Sequence, residues 1–342
     1  MTMTPTVLPQ ESATSRNEPC QSLCALLGPV QHELAQFEAR LTAELSSDHA
    51  FVDELVRYGC LIGGKRLRPA LLFLCGQAAG QLSAAHRTLA TVVEMIHTAT
   101  LIHDDVLDEA STRRHLATVN SRWDNEASVL LGDFLFSHAF HLASTLDSTF
   151  ACRRIGLATN RVCEGELRQK GSCGDFRLSE AEYLAIIEAK TAELTACSCE
   201  LGAWYAGAEP GLASRCGDYG RDLGIAFQIA DDVLDLVGDE STAGKSLGSD
   251  LAKHKPTLPL IRLMQVLDED RRQDLIHALE NGGELRRARF VPLLERHGAL
   301  AYAVEAARGY AERARRHLND LPPGPAADSL RQLTHFVVHR TA

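Results

Sequence analysis

Aromatic residues make up only 6% of the 342-residue chain, with two Trp, six Tyr and eleven Phe. So few rings make base stacking on nucleic acid a poor basis for function. A cationic excess is missing as well: 35 Lys and Arg stand against 45 Asp and Glu, for a net charge of −10. That balance excludes a protein whose main partner is a phosphate backbone or an anionic membrane surface. It leaves room for a small anionic substrate, because a few placed cations or metal ions invert the sign locally. No apolar run approaches the roughly 18 residues that a membrane span needs. The ten cysteines include no Cys-x-x-Cys, and the close pairs Cys20/Cys24 and Cys197/Cys199 lack a second pair at zinc spacing. The opening stretch MTMTPTVLPQESATSRNEPC has no basic segment followed by an apolar one, so no secretory signal is expected. The cysteines are therefore expected to be reduced and packed as small hydrophobes in a cytoplasmic protein.

What the chain does have is a three-and-four spacing of apolar positions from Leu23 onward. It runs through 68–80, 85–108, 126–146, 151–170, 179–208, 212–237 and 256–266, and no segment alternates with period two. The pattern predicts an all-α fold, a large single-domain helical bundle. Residues 1–20, rich in Thr, Ser and Pro, read as a disordered tail, and 21–342 as one domain.

One pentapeptide occurs twice, as Asp104-Asp105-Val106-Leu107-Asp108 and Asp231-Asp232-Val233-Leu234-Asp235. Residues four apart share a helix face, so Asp104 stacks with Asp108 and Asp231 with Asp235. Each copy follows apolar turns, where uncompensated carboxylates are costly. A single copy reads as a solvated helix face. Two identical copies in apolar helices point to a hard oxygen-ligand site for Mg2+, which takes phosphate as a co-ligand.

The cations are scattered. Gly63-Gly64-Lys65-Arg66-Leu67-Arg68-Pro69 forms a turn at a helix start, where positive charge is unfavourable unless an anion binds. Arg113-Arg114, Lys190-Thr191, Lys245 and Lys255 lie elsewhere. Gly244-Lys245-Ser246 matches the end of a P-loop, but Gly238 is one residue too far upstream and no strand precedes it. His97 and His103 read as core or supporting histidines. With no nucleophile motif, the pattern suits electrostatic handling of a substrate bearing several phosphates.

In this order the motifs resemble the trans-isoprenyl diphosphate synthases, of the bacterial long-chain, octaprenyl-like branch. The resemblance rests on Gly63–Pro69, Ile96–Asp108, Arg113-Arg114, Gly132-Asp133 and Glu164-Gly165-Glu166. It continues through Lys190-Thr191, Phe227-Gln228-x-x-Asp231-Asp232-x-x-Asp235, Gly244–Leu251 and Lys255–Pro259, and covers roughly residues 25–342. It implies an isoprenoid-synthase bundle with a central cavity and repeated condensation of isopentenyl diphosphate with geranyl or farnesyl diphosphate. The implied product is an all-trans polyprenyl diphosphate of about C40, destined for a quinone side chain. Asp104, Asp108 and Asp231 are implied Mg2+ ligands, with Asp105, Asp232 and Asp235 in support. Three ions are implied, with Mn2+ as a substitute. Arg113, Lys190 and Lys255, with Gln228 and Lys245 nearby, are implied to hold the allylic diphosphate, and Thr191 to lie beside the reacting carbons. Lys65, Arg68, His97 and Arg114 are implied to hold isopentenyl diphosphate. Small Ala99 and Thr100 beneath Asp104 leave Ile96 and Met95, about 12 Å down the helix, as the first obstruction. Phe136 or Phe140 is the expected deeper floor. A homodimer and transient membrane contact during product release are further expectations. A shorter-chain (C15–C20) synthase, a terpene cyclase of the same fold, a non-catalytic partner subunit and a helical metal-binding protein without catalysis remain alternatives.

Overall fold

The computed structural model describes residues 22–61, 64–238, 248–280 and 287–339. Gly63, Lys245 and the 1–20 segment lie outside the described residues. The chain opens with α1 (Leu23–Leu26), α2 (Gln31–Glu44), α3 (Ala50–Leu61) and α4 (Leu67–Ala79). The long α5 (Ala84–Leu107) leads through a short hairpin and α6 (Val119–Arg122) into α7 (Asn125–Ser144) and α8 (Thr149–Gly171). Next come α9 (Glu180–Ile187), a π turn (Glu188–Ala192), α10 (Glu193–Tyr205) and α11 (Pro210–Val237). The rest is α12 (Ser249–Ala252), α13 (Leu258–Val266), α14 (Glu269–Glu280), α15 (Arg287–Arg296), α16 (Ala299–Arg316) and α17 (Pro325–His339). No helix among the described residues is long and apolar enough to cross a membrane.

The helical expectation holds, and its long segments fall within two or three residues of the observed helices. Capping explains several starts. Ser83 and His86 close a reciprocal capping box on α5, and Asp124 accepts from the Ala127 N–H at the start of α7. Pro210 occupies the first turn of α11, where its missing N–H costs nothing.

Two apolar clusters fill the interior. The larger gathers Phe73, Met95, Leu135 and Tyr219 from α4, α5, α7 and α11. The second gathers Ile229, Val233, Leu263 and Phe290 from α11, α13 and α15. Thus α11 belongs to both: its first part packs in the larger cluster, and from Ile225 on it also packs in the second. Close helix approach is secured at Gly202 of α10, whose missing Cβ leaves room for the Leu72 carbonyl of α4.

The secondary structure departs from the sequence reading in two places, and Cys24, Cys163 and Cys173 are exposed rather than packed as small hydrophobes. Thr112–Arg113 pairs antiparallel with Leu116–Ala117 across Arg114 and His115. Two-residue strands are too short to show alternation. The helix expected over 179–208 is interrupted by the π turn, an inserted residue that leaves the apolar spacing on either side intact.

Candidate active site

Both Asp motifs lie at the C-terminal ends of their helices, α5 and α11. Carboxylates there oppose the negative end of the helix dipole, so something positive must offset them. For the first motif the offset is supplied by protein cations. Asp104 lies 3.8 Å from Lys190, which also donates to Glu166 at 2.7 Å. Asp105 is buried and pairs with Arg113 at 2.8 Å. Asp108 faces Lys253 at 2.9 Å and Lys255 at 3.6 Å. Burial pushes the Asp104 and Asp105 carboxyls up, against the pull of Lys190 and Arg113. Burial also works against Asp108, but the Lys253 hydrogen bond and the Lys255 charge hold it below the usual carboxylate range.

The second motif has mostly neutral partners. Asp232 is 4% exposed and accepts hydrogen bonds from the Tyr183 hydroxyl at 2.6 Å and the Gln228 amide at 2.8 Å. Burial, with Asp250 and Asp231 nearby, pushes it up to about 8. Asp235, also buried, accepts from the Ser249 hydroxyl and the Asp250 N–H, each at 3.1 Å, and so orders the start of α12. Asp231 is partly buried between these elements.

The π turn joins the two motifs. Lys190 reaches Asp104, while the adjacent Thr191 donates to the Gln228 side-chain Oε1 at 2.9 Å, and the Gln228 amide nitrogen in turn donates to Asp232. Lys190, Thr191, Gln228, Asp232, Asp250 and Lys255 form the polar wall of a cavity of about 110 Å3. Leu178, Ile186 and Ile187 are among its apolar lining.

No group of three or more His, Cys, Asp or Glu among the described residues forms a metal cage made of protein alone. Separate carboxylates facing lysines suit Mg2+ instead, because Mg2+ is held by one or two carboxylates together with waters and substrate phosphates. The donor set fits the ion when a diphosphate completes the shell.

A second cationic region lies beside the first motif. Arg66, with φ at 51°, donates to Glu38 at 2.7 Å and to the buried Glu94 at 2.6 Å. Arg68 has a buried Nε with no hydrogen-bond partner, a donor that an anion could use. Burial and the charges of Arg68, Arg114, Arg113 and Arg66 push His97 well below its ordinary value, so its ring is neutral. Arg114 fits against Gly64, where a Cβ would collide with its guanidinium. Lys65 is exposed. Among the described residues, the non-glycine residues at positive φ (Arg66, Glu109, Arg114, His115 and His254) adjoin these two regions, as strain stored at functional sites does.

Below Asp104, Ala99 is fully buried and the Thr100 hydroxyl turns back to the His97 carbonyl at 2.8 Å. Ile96 and Met95 belong to the larger core. Phe136 and Phe140 are partly buried against the same core, and the Phe136 ring lies 6.0 Å from that of His103.

Several site residues were not singled out from sequence. Glu94 is a charged residue inside an otherwise apolar stretch of α5, which is a readable signal. Lys253 sits two residues before Lys255. Tyr183, which is 49 positions from Asp232, carries no sequence signal at all.

The model of the family described as Polyprenyl synthetase matches residues 49–289. Octaprenyl diphosphate synthase of Escherichia coli (strain K12) is 37% identical over 311 residues, covering 90% of this chain and 96% of the relative. The crystal structure of a decaprenyl diphosphate synthase from Rhodobacter capsulatus has a TM-score of 0.88 at 35% identity, covering 93% and 99% of the two chains. Polyprenyl synthase from Caulobacter crescentus CB15, solved with calcium and isoprenyl diphosphate, also reaches 0.88 at 36% identity, covering 95% and 100%. The chain belongs to the polyprenyl synthetase family and is a Mg2+-dependent trans-prenyltransferase that extends an allylic diphosphate with isopentenyl diphosphate.

Proposed function

We propose that the chain adds isopentenyl diphosphate repeatedly to an allylic primer, geranyl or farnesyl diphosphate, to make an all-trans polyprenyl diphosphate of about C40. The observation that carries this reading is the run Asp104–Lys190, Thr191–Gln228–Asp232, which links the two Asp motifs through adjacent residues of the π turn beside a cavity lined by Lys190, Thr191, Gln228 and Asp232.

In this reading Asp104, Asp108 and Asp231 hold Mg2+, with Asp105, Asp232 and Asp235 in support and three ions present when substrate is bound. Bound there, Mg2+ supplies Lewis-acid stabilisation of the leaving diphosphate. Lys190 and Lys255 exchange carboxylate partners for phosphate oxygens, joined by Arg113, Gln228 and Lys245. As the allylic C–O bond breaks, these cations meet the growing negative charge without having to reorganise. Lys65, Arg68, His97 and Arg114 hold isopentenyl diphosphate, whose double bond attacks the allylic cation beside Thr191. Alignment does the work that a protein nucleophile does elsewhere. A proton then leaves to the departed diphosphate, and the product is again an allylic diphosphate. The cations Lys65 and Arg68 favour this two-diphosphate site over a cyclase, which needs only one.

Ala99 and Thr100 support an open path for the growing chain, with Ile96, Met95, Phe136 and Phe140 deeper down. The relatives named for octaprenyl and decaprenyl products support a long chain. Exposed Val129, Leu130 and Phe134 on α7, with Leu157 and Leu167 on α8, support a second copy of the chain packing there.

The test is incubation with labelled isopentenyl diphosphate, farnesyl diphosphate and Mg2+, followed by product sizing. Incorporation into a product of about C40 is expected. Products that stop at C15–C20 overturn the chain length. Consumption of farnesyl diphosphate alone indicates a cyclase, and no consumption overturns the reading. Ala99→Tyr is expected to shorten the product, and an unchanged length shows that the path does not pass Ala99.

A further inference from the structure

The π turn is seated by side chains that are absent. A Cβ on Gly165 of α8 would lie 2.6 Å from the Lys190 backbone nitrogen and 3.0 Å from its Cα. On the other side, a Cβ on Gly224 of α11 would lie 2.6 Å from the Cα of Ala192 and 2.8 Å from its Cβ. Separations this short would force the backbone of the turn to move, so α8 and α11 close on it only because both positions are glycine. Gly156 on the same α8 differs: nothing lies within 4 Å of a Cβ placed there.

The far end of the turn is pinned by charge. Glu193 is 1% exposed, takes Arg154 at 2.8 Å and Arg161 at 3.0 Å, and has Arg221 at 3.9 Å. These arginines come from α8 and α11, the helices that carry the two glycines. A π turn is rare and occurs mostly as a single-turn bulge inside an α-helix, frequently at functional sites. Here its surroundings fix it from three directions.

We infer that Gly165, Gly224 and Glu193 are positioning residues for the allylic half of the site. They seat the π turn so that Lys190 reaches the first Asp motif while Thr191, the next residue, reaches Gln228 and the second. None of the three touches substrate, and the inference rests on the proposed roles of Lys190 and Thr191. The isopentenyl half is carried by other elements: Lys65, Arg68, His97 and Arg114 lie on α4, α5 and the segments beside them, not on α8, α11 or the turn.

Steady-state kinetics of Gly224→Ala test this. A displacement of about 1 Å at a reacting centre can cost roughly a hundred-fold in rate. The expected result is a fall in kcat of that order and a raised KM for the allylic diphosphate, with the KM for isopentenyl diphosphate unchanged. Gly156→Ala, on an open face, should leave all three constants unchanged. A fall in kcat with both KM values unchanged, matched by loss of folded protein, overturns the inference, as does no kinetic change. Should Gly224→Ala not fold, Arg161→Gln, at a partly exposed arginine, should give a smaller change with the same split, and equal changes in both KM values overturn it. Lys190→Ala separates this inference from the function beneath it. If Lys190→Ala leaves the allylic KM unchanged, the role of Lys190 fails and the positioning inference fails with it. If Lys190→Ala raises that KM and Gly224→Ala does not, only the positioning inference fails.

Discussion

The same five residues, Asp-Asp-Val-Leu-Asp, end α5 and α11, yet the fold gives them opposite surroundings. On α5 each carboxylate meets a cation: Lys190, Arg113, or Lys253 with Lys255. On α11 Asp232 and Asp235 meet hydroxyls, an amide and a backbone N–H. The first motif is therefore neutralised before substrate arrives. The second keeps a buried carboxyl, Asp232, that burial and the neighbouring Asp250 push up to about 8. The motif thus sets where the carboxylates lie, and the neighbouring helices set what they need.

Three experiments sharpen or break this contrast. The largest effect is expected for Asp104→Asn and Asp231→Asn, each lowering kcat by about a thousand-fold, or about 4 kcal/mol. If one of the two retains normal turnover at saturating Mg2+, the motifs do not share one reaction. A smaller difference should separate the middle carboxylates. In Mg2+-free buffer at pH 8.5 or above, Asp232→Asn should raise the melting temperature, because a buried acid without a cation is replaced by a neutral amide. Asp105→Asn should lower it, because Arg113 loses its buried partner. Shifts of the same sign in calorimetry would remove the electrostatic distinction. The smallest effect concerns His97, whose ring stays neutral in the fold. Its folded value lies below the unfolded one, so the stability it contributes is full above about pH 6.5 and is lost as pH falls further. His97→Gln should therefore lose less melting temperature between pH 7.5 and pH 5 than the parent does. Equal losses would show that His97 does not carry the acid sensitivity.

The contrast was partly legible in the sequence. Both motifs, their helices and most cations are local patterns, and a 3.6-residue spacing is enough to place them. Long-range partners were not legible. Tyr183 comes to Asp232, and Glu38 to Arg66, only because helices distant in sequence pack together. The π turn was invisible for a related reason: it depends on Gly165 and Gly224, which lie on two other helices. The hairpin at 112–117 escaped because its strands are two residues each.

That hairpin places consecutive arginines in different regions. Arg113 bonds the first Asp motif, while Arg114, at the left-handed turn, fits against Gly64 of the second cationic region. Consecutive Cα atoms are about 3.8 Å apart, so in the proposed reading one peptide unit acts as a ruler between the two diphosphates. Most surface turns tolerate changes in length at little cost. This one has its length written into the spacing between donor and acceptor.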